Sequence, residues 1–182
     1  MTTYISILRG INVSGKNIIK MDALQKMYKE LCFDSVTTYI QSGNIIFRSS
    51  ETKPQKLEKE ISNQIKNVYG FDVPVIVLTI NNLQQIIDDN PFSKDQSKDH
   101  NFFHITFLAS KPEKYDINAI KEKRLSGEEI VITENAVYLY CPKGYGNTKL
   151  NNTFLESYLK VRATTRNWKT ANKLLQLASE TI

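Results

Sequence analysis

Residues 36–48 read Val36-Thr37-Thr38-Tyr39-Ile40-Gln41-Ser42-Gly43-Asn44-Ile45-Ile46-Phe47-Arg48. Val36 to Ile40 and Asn44 to Arg48 are rich in β-branched and aromatic residues, the composition of strands. Glycine followed by asparagine between them tolerates positive φ, so the stretch reads as a hairpin. Upstream, Leu24, Met27, Tyr28 and Leu31 recur at i, i+3, i+4 and i+7, one face of a helix, and Tyr4 to Leu8 reads as a strand before it. Downstream, Leu57, Ile61, Ile65 and Val68 mark a helix that starts after Pro54 and ends at Gly70, and Val73 to Ile80 reads as a strand. The order is βαββαβ, the ferredoxin-like split unit.

The second half reads as a looser copy. A short helix at Leu83 to Asp88 leads through Pro91 to a strand at Phe102 to Leu108. Ile117 and Ile120 suggest a brief helix, and Glu129 to Thr133 with Ala136 to Cys141 a hairpin. Leu150, Phe154, Leu155, Tyr158 and Leu159 mark an amphipathic helix, and Ala171, Leu174, Leu175 and Ala178 a closing one. Asn, Asp, Ser and Pro cluster at residues 81–100, which places a boundary there. The expected fold class is therefore α+β, with two tandem ferredoxin-like (βαββαβ-type) subdomains, 1–81 and 82–182, built on antiparallel sheets. Each half alone is small and marginal, so the two are expected to be closely packed.

Composition narrows the function classes. With 182 residues, 41% apolar and 24% charged, the chain is that of an ordinary globular protein. No apolar run is long enough to cross a bilayer, so no membrane partner is expected. No signal peptide is visible, and Cys32 and Cys141 are too few for a disulfide scaffold, so a cytoplasmic location is expected. The net charge of +5 is uneven: residues 1–29 carry +4, residues 142–174 carry +6, and the rest carry −5. If folding joins the two basic segments, they form a face suited to nucleic acid or a phosphorylated small molecule. Lysines on solvated helix faces explain the same charge without a ligand.

Three segments carry the chemistry. Arg9-Gly10-Ile11-Asn12-Val13-Ser14-Gly15-Lys16-Asn17 combines two turn-forming glycines with donors from Arg9, Asn12, Lys16 and Asn17. It lacks the phosphate-loop pattern, because Asn17 stands where Ser or Thr should follow the lysine, and Gly-x-Gly-x-x-Gly is absent, so no cofactor is expected. In the hairpin turn, Ser42 and Asn44 are either ligand donors or turn-formers that bond the local backbone. In the third segment, Lys149 follows a glycine-tyrosine turn. Thr164 or Thr165 reads as the cap of the last helix, which leaves Arg166 and Asn167 near its first turn. Trp168 offers a face for stacking or a core anchor. His100 and His104 are the sole pair at metal-ligand spacing, with no carboxylate or cysteine cluster beside them, so no metal is expected.

These segments, together with Ile45-Ile46-Phe47, Asn90-Pro91-Phe92 and the Gly144-to-Leu150 turn, resemble a bacterial family of uncharacterised proteins, domain of unknown function family 1697. Ser14 departs from it, since the family usually has a glycine there. The resemblance implies two ferredoxin-like subdomains and a site location, and it supplies no reaction. The expectation is a protein that binds a phosphate-bearing ligand, nucleic acid or nucleotide. The alternatives are a metal-independent enzyme on a small anionic metabolite, with Arg9, Lys16 and Arg166 as electrostatic clamps, and an interaction protein without a ligand.

Overall fold

The structure, a computed structural model, describes residues 1–181. The chain divides into two compact units, Met1–Gln84 with the chain from Lys173 onward, and Gln85–Asn172. The first contains β1 (Thr2–Leu8), α1 (Met21–Glu30), β2 (Asp34–Tyr39), β3 (Asn44–Ser49), α2 (Pro54–Tyr69) and β4 (Val75–Thr79). A helix α3 (Ile80–Asp88) follows, and the second unit contains β5 (Phe103–Leu108), α4 (Ile117–Lys121), β6 (Glu129–Ile132), β7 (Ala136–Tyr140), α5 (Asn152–Leu159) and β8 (Ala163–Asn167). The closing helix is α6 (Trp168–Glu180). The strand orders are β2-β3-β1-β4 and β6-β7-β5-β8, all antiparallel. Each sheet thus repeats the ferredoxin-like order, and the expected fold class stands.

In the first unit the period-2 alternation of β1 and β3 sends Tyr4, Leu8, Ile45 and Phe47 to the face that packs Leu24, Met27 and Tyr28 of α1 and Leu57, Ile61 and Ile65 of α2. Rings fill the centre, with Phe47 5.5 Å from Tyr28 and 4.6 Å from Phe33 between centroids. The Tyr28 hydroxyl is buried and shares a 2.9 Å hydrogen bond with Ser6 Oγ. Burial pushes its phenol pKa well above the usual value, with the Ser6 bond opposing. In the second unit Leu108, Val137 and Leu139 meet Ile120, Leu155 and Leu159. Its helices are capped from the side chain: Asp116 accepts from the Asn118 and Ala119 N–H groups, and Asn151 accepts from the Phe154 N–H.

Three boundaries differ from the sequence reading. Residues 163–167, expected to open the last helix, form β8, which pairs with β5 through the register His104↔Asn167 to Leu108↔Ala163. The cap of α6 is accordingly Asn167, whose Oδ1 accepts from the Thr170 N–H at 2.8 Å, and not Thr164 or Thr165. Thr165 instead bonds Thr106 and Asn152 through its hydroxyl, both at 2.7 Å, which ties the strand to its neighbours. The strand expected over Val73 to Ile80 shortens to Val75–Thr79, because the Thr79 hydroxyl accepts from the Asn82 N–H and starts α3 at once.

The turn at residues 40–43 holds Ile40 at φ 50° while 48% exposed. A β-branched residue at positive φ is strained, and asparagine adopts this conformation readily. Ile40→Asn is expected to raise stability by about 1 kcal/mol, less the contact of the half-covered side chain. Urea unfolding checks this; a lower midpoint means that the aliphatic contact outweighs the strain.

Candidate functional site

The sequence-predicted residues fall into the two units. In the first, the loop between β1 and α1 folds back on itself, with Gly10, Asn12, Ser14, Gly15 and Asn17 all at positive φ. The Lys16 N–H donates to the Val13 carbonyl at 3.0 Å and the Asn12 N–H to the Asn17 carbonyl at 3.1 Å, which closes the loop. The Asn12 amide makes three further bonds. Its Nδ2 donates to the carbonyls of Ile19 and Gln41, and its Oδ1 accepts from the Ile19 N–H, each at 2.9 Å. Asn17 Nδ2 donates to the Gly10 carbonyl at 3.0 Å. Asn44 is fully buried, and its Nδ2 reaches the Tyr39 carbonyl at 3.1 Å and Ser42 Oγ at 2.9 Å. The Asn12 amide joins the 9–20 loop to the hairpin turn, while Asn17 and Asn44 brace the loop and the turn from within. Arg9 is half-buried, with its N–H on the Pro74 carbonyl at 3.0 Å, and Lys16 is exposed. The asparagines therefore act first as loop clamps: the donor atoms that suit a phosphate are the same atoms that satisfy backbone carbonyls.

In the second unit the structure brings together residues that the sequence keeps apart. His104 on β5 stands opposite Asn167 on β8. The imidazole stacks on the Tyr145 ring, with centroids 4.7 Å apart and planes at 20°, and so fixes the turn Tyr145–Asn147 that precedes exposed Lys149. Tyr145 also lies close enough to Arg166 to act on it electrostatically. Arg166 sits on the edge strand β8, half-buried, and Nη1 donates to the Thr165 carbonyl at 2.9 Å. Loss of water around the guanidinium lowers its pKa to about 10, with Tyr145 partly opposing, so the group keeps its charge at neutral pH. A cation already stripped of water binds an anion at a smaller desolvation cost than a solvated lysine does. Trp168 instead packs edge-on against Phe103 and His100, at 6.0 and 6.3 Å, which is a core-anchoring placement.

Nothing in the sequence marks His104 as a candidate base, and its place in the sheet depends on register. Alternation along β5 places it on the same face as Thr106, and only the unforeseen pairing with β8 puts it beside Asn167. Burial lowers its pKa below the ordinary 6.5, partly offset by the Phe102 carbonyl 3.3 Å from Nδ1. The unfolded chain therefore takes up the proton first as pH falls. The stability that this group contributes is complete above about pH 6.5 and is lost as pH drops through the lower folded value. Unfolding midpoints are expected to fall between pH 7 and 5 and to flatten in His104→Phe, which keeps the stack and removes the titration. An unchanged slope in the variant would assign the pH dependence elsewhere.

Among the described residues no group of three metal-ligating side chains occurs, and no helix is long and apolar enough to cross a membrane. Comparison with known proteins agrees with the fold. A family model described as "Protein of unknown function (DUF1697)" matches residues 1–138. A solved structure of a conserved bacterial protein from Streptococcus pneumoniae is similar, with 26% identity over 97% of this chain and 98% of that one and a TM-score of 0.69. No curated protein matches the sequence.

Proposed function

The chain belongs to the family of proteins of unknown function DUF1697, and from that premise we propose that it binds a phosphate-bearing ligand, a nucleotide or a nucleic-acid phosphate. Arg166 is the principal anion contact and Lys149 the second. The observation that carries this reading is the half-buried guanidinium of Arg166 on an edge strand, in electrostatic reach of the turn that precedes exposed Lys149. The Tyr145–His104 stack lies on the sheet face opposite the Ile105–Arg166 pair, with Tyr145 in electrostatic reach of the guanidinium, and it offers an aromatic surface at this end of the sheet. Asn167 supports the site indirectly, by capping α6 immediately after Arg166. Arg9 and Lys16, in the first unit, are not required for this binding.

Thermal-shift titrations with inorganic phosphate, AMP and ADP test the reading, with single-stranded RNA titrated at two salt concentrations as the nucleic-acid arm. A ligand at 100 times its Kd stabilises by about 2.7 kcal/mol, a readily visible rise in Tm. Arg166→Ala is expected to weaken binding tenfold or more, Arg166→Lys less, and Arg9→Ala with Lys16→Ala not at all. For RNA, affinity should fall steeply with added salt. No shift with any of these ligands, or a shift untouched by Arg166→Ala, overturns the proposal.

A second reading is favoured by His104. With Nδ1–H donating to the Phe102 carbonyl, Nε2 is left as an acceptor on an imidazole that burial keeps neutral at pH 7. In this reading Nε2 would act as the general base of a metal-independent enzyme on a small anionic ligand. Turnover of a bound phosphorylated metabolite that is lost in His104→Phe, with binding retained, distinguishes an enzyme from a binding protein.

A further inference from the structure

The second sheet has an edge that its own chain leaves open. β6 is the outermost strand, and among the described residues it pairs with β7 alone. The Thr133 N–H donates to the Ala136 carbonyl at 2.9 Å, closing the hairpin. In an antiparallel ladder the inward-bonded residues alternate, so Val131 also turns its main chain toward β7. Ile130 and Ile132 present their N–H and C=O groups away from the sheet. Proteins commonly blunt such edges with proline, lysine or a bulge. Glu129-Ile130-Val131-Ile132 has neither residue, and its register with β7 runs without a shift.

Beside this edge lies a cavity of about 480 Å³, lined by Tyr115, Ile117, Lys121, Ile130, Val131 and Ile132. Its lining mixes the aliphatic side chains of Ile117, Ile130, Val131 and Ile132 with polar surface that includes Tyr115 and the one cation, Lys121, and both Tyr115 and Val131 are exposed there. We propose that β6 and this cavity form a docking site for an extended acidic peptide, which adds to the sheet as a fifth strand. The open main-chain groups of Ile130 and Ile132 recognise peptide backbone in the extended conformation. The cavity takes one aliphatic side chain, and Lys121 pairs with a carboxylate. Side chains on one face of a strand repeat every two residues, so the aliphatic and the acidic residue are two positions apart. A second copy of the chain fits less well. The acid on β6 itself, Glu129, already holds Lys98 at 3.0 Å, so a neighbour's Lys121 would have to share that carboxylate.

The test uses the full chain and a capped, fluorescein-labelled heptapeptide, Thr-Thr-Ile-Thr-Glu-Thr-Thr, together with the version in which Ile and Glu are exchanged to allow either strand direction. Anisotropy titration is expected to give a Kd below about 1 mM for one of the two. N-methylation of the peptide backbone should weaken that binding at least tenfold, because it removes donors and leaves every side chain. Lys121→Glu should reverse the preference toward a peptide with lysine in place of the acid. Ile132→Pro removes an outward N–H without breaking an internal ladder bond, and it should also cost at least tenfold. Absence of binding by both peptides, or binding indifferent to N-methylation and to Lys121→Glu, overturns the proposal. A concentration-dependent dimer in sedimentation that Ile132→Pro abolishes does so as well, by assigning the edge to a second copy.

Discussion

Gly43→Ala is expected to destabilise the first unit by about 3 kcal/mol or more, the largest effect of any glycine-to-alanine change in the chain. Two costs coincide at this position. Gly43 has φ +79°, a conformation that costs a residue with a Cβ about 1 kcal/mol or more. Its added Cβ would also lie 2.7 Å from the Leu8 Cβ and 2.8 Å from the Ile11 Cδ1. Neither neighbour can withdraw easily, because Leu8 and Ile11 are buried and the Leu8 N–H is held to the Gly43 carbonyl at 2.8 Å. Overpacking of a fixed core site adds about 1–3 kcal/mol. Gly15 is the control: it has φ +71° with nothing within 4 Å of its would-be Cβ, so Gly15→Ala should lose only about 1 kcal/mol. Urea unfolding followed by far-UV circular dichroism is the suitable measurement, since Trp168 lies in the second unit and reports on that one. Equal losses for the two variants would refute the steric argument.

Much of this fold was legible from period and punctuation. The spacing of Leu24, Met27 and Tyr28 located α1, and the Gly43-Asn44 pair located the hairpin, because burial on one face and positive φ leave local marks. β8 left no such mark. Ala163-Thr164-Thr165-Arg166-Asn167 has no apolar alternation, since an edge strand carrying hydroxyls is held by Thr106 and Asn152, residues far off in sequence. A threonine pair before a helix therefore looked like a cap. The site was less legible for a related reason. His104 meets Tyr145 only through the turn after β7, and Arg166 comes to lie opposite Ile105 only through the β5–β8 pairing. Conversely, Asn12 resembled a ligand donor because its partner Gln41 is 29 residues away and contributes only a backbone carbonyl, which no side-chain pattern reveals.

Asn12 therefore offers the sharpest test of whether the first loop is scaffold or site. Asn12→Ala removes three side-chain hydrogen bonds, to the Ile19 N–H, the Ile19 carbonyl and the Gln41 carbonyl. At about 0.5–1.5 kcal/mol each for half-exposed neutral bonds, their loss amounts to about 2–3 kcal/mol. Alanine also has to adopt φ 54°, which adds about 1 kcal/mol. Asn12→Gly separates the two contributions, because it loses the same bonds without the backbone cost, and it should recover roughly that last kcal/mol. Asn12→Asp keeps the acceptor for the Ile19 N–H but turns a carboxylate oxygen toward two carbonyls, so it should be no better than alanine. Urea unfolding gives the three losses, and phosphate or nucleotide titration of the same variants gives the functional half. A clamp lowers stability and leaves affinity at the Arg166 site unchanged in the folded protein. Stability within about 0.5 kcal/mol of the parent combined with lost affinity would instead make the amide a ligand contact, and would bring the first basic segment back into the binding site.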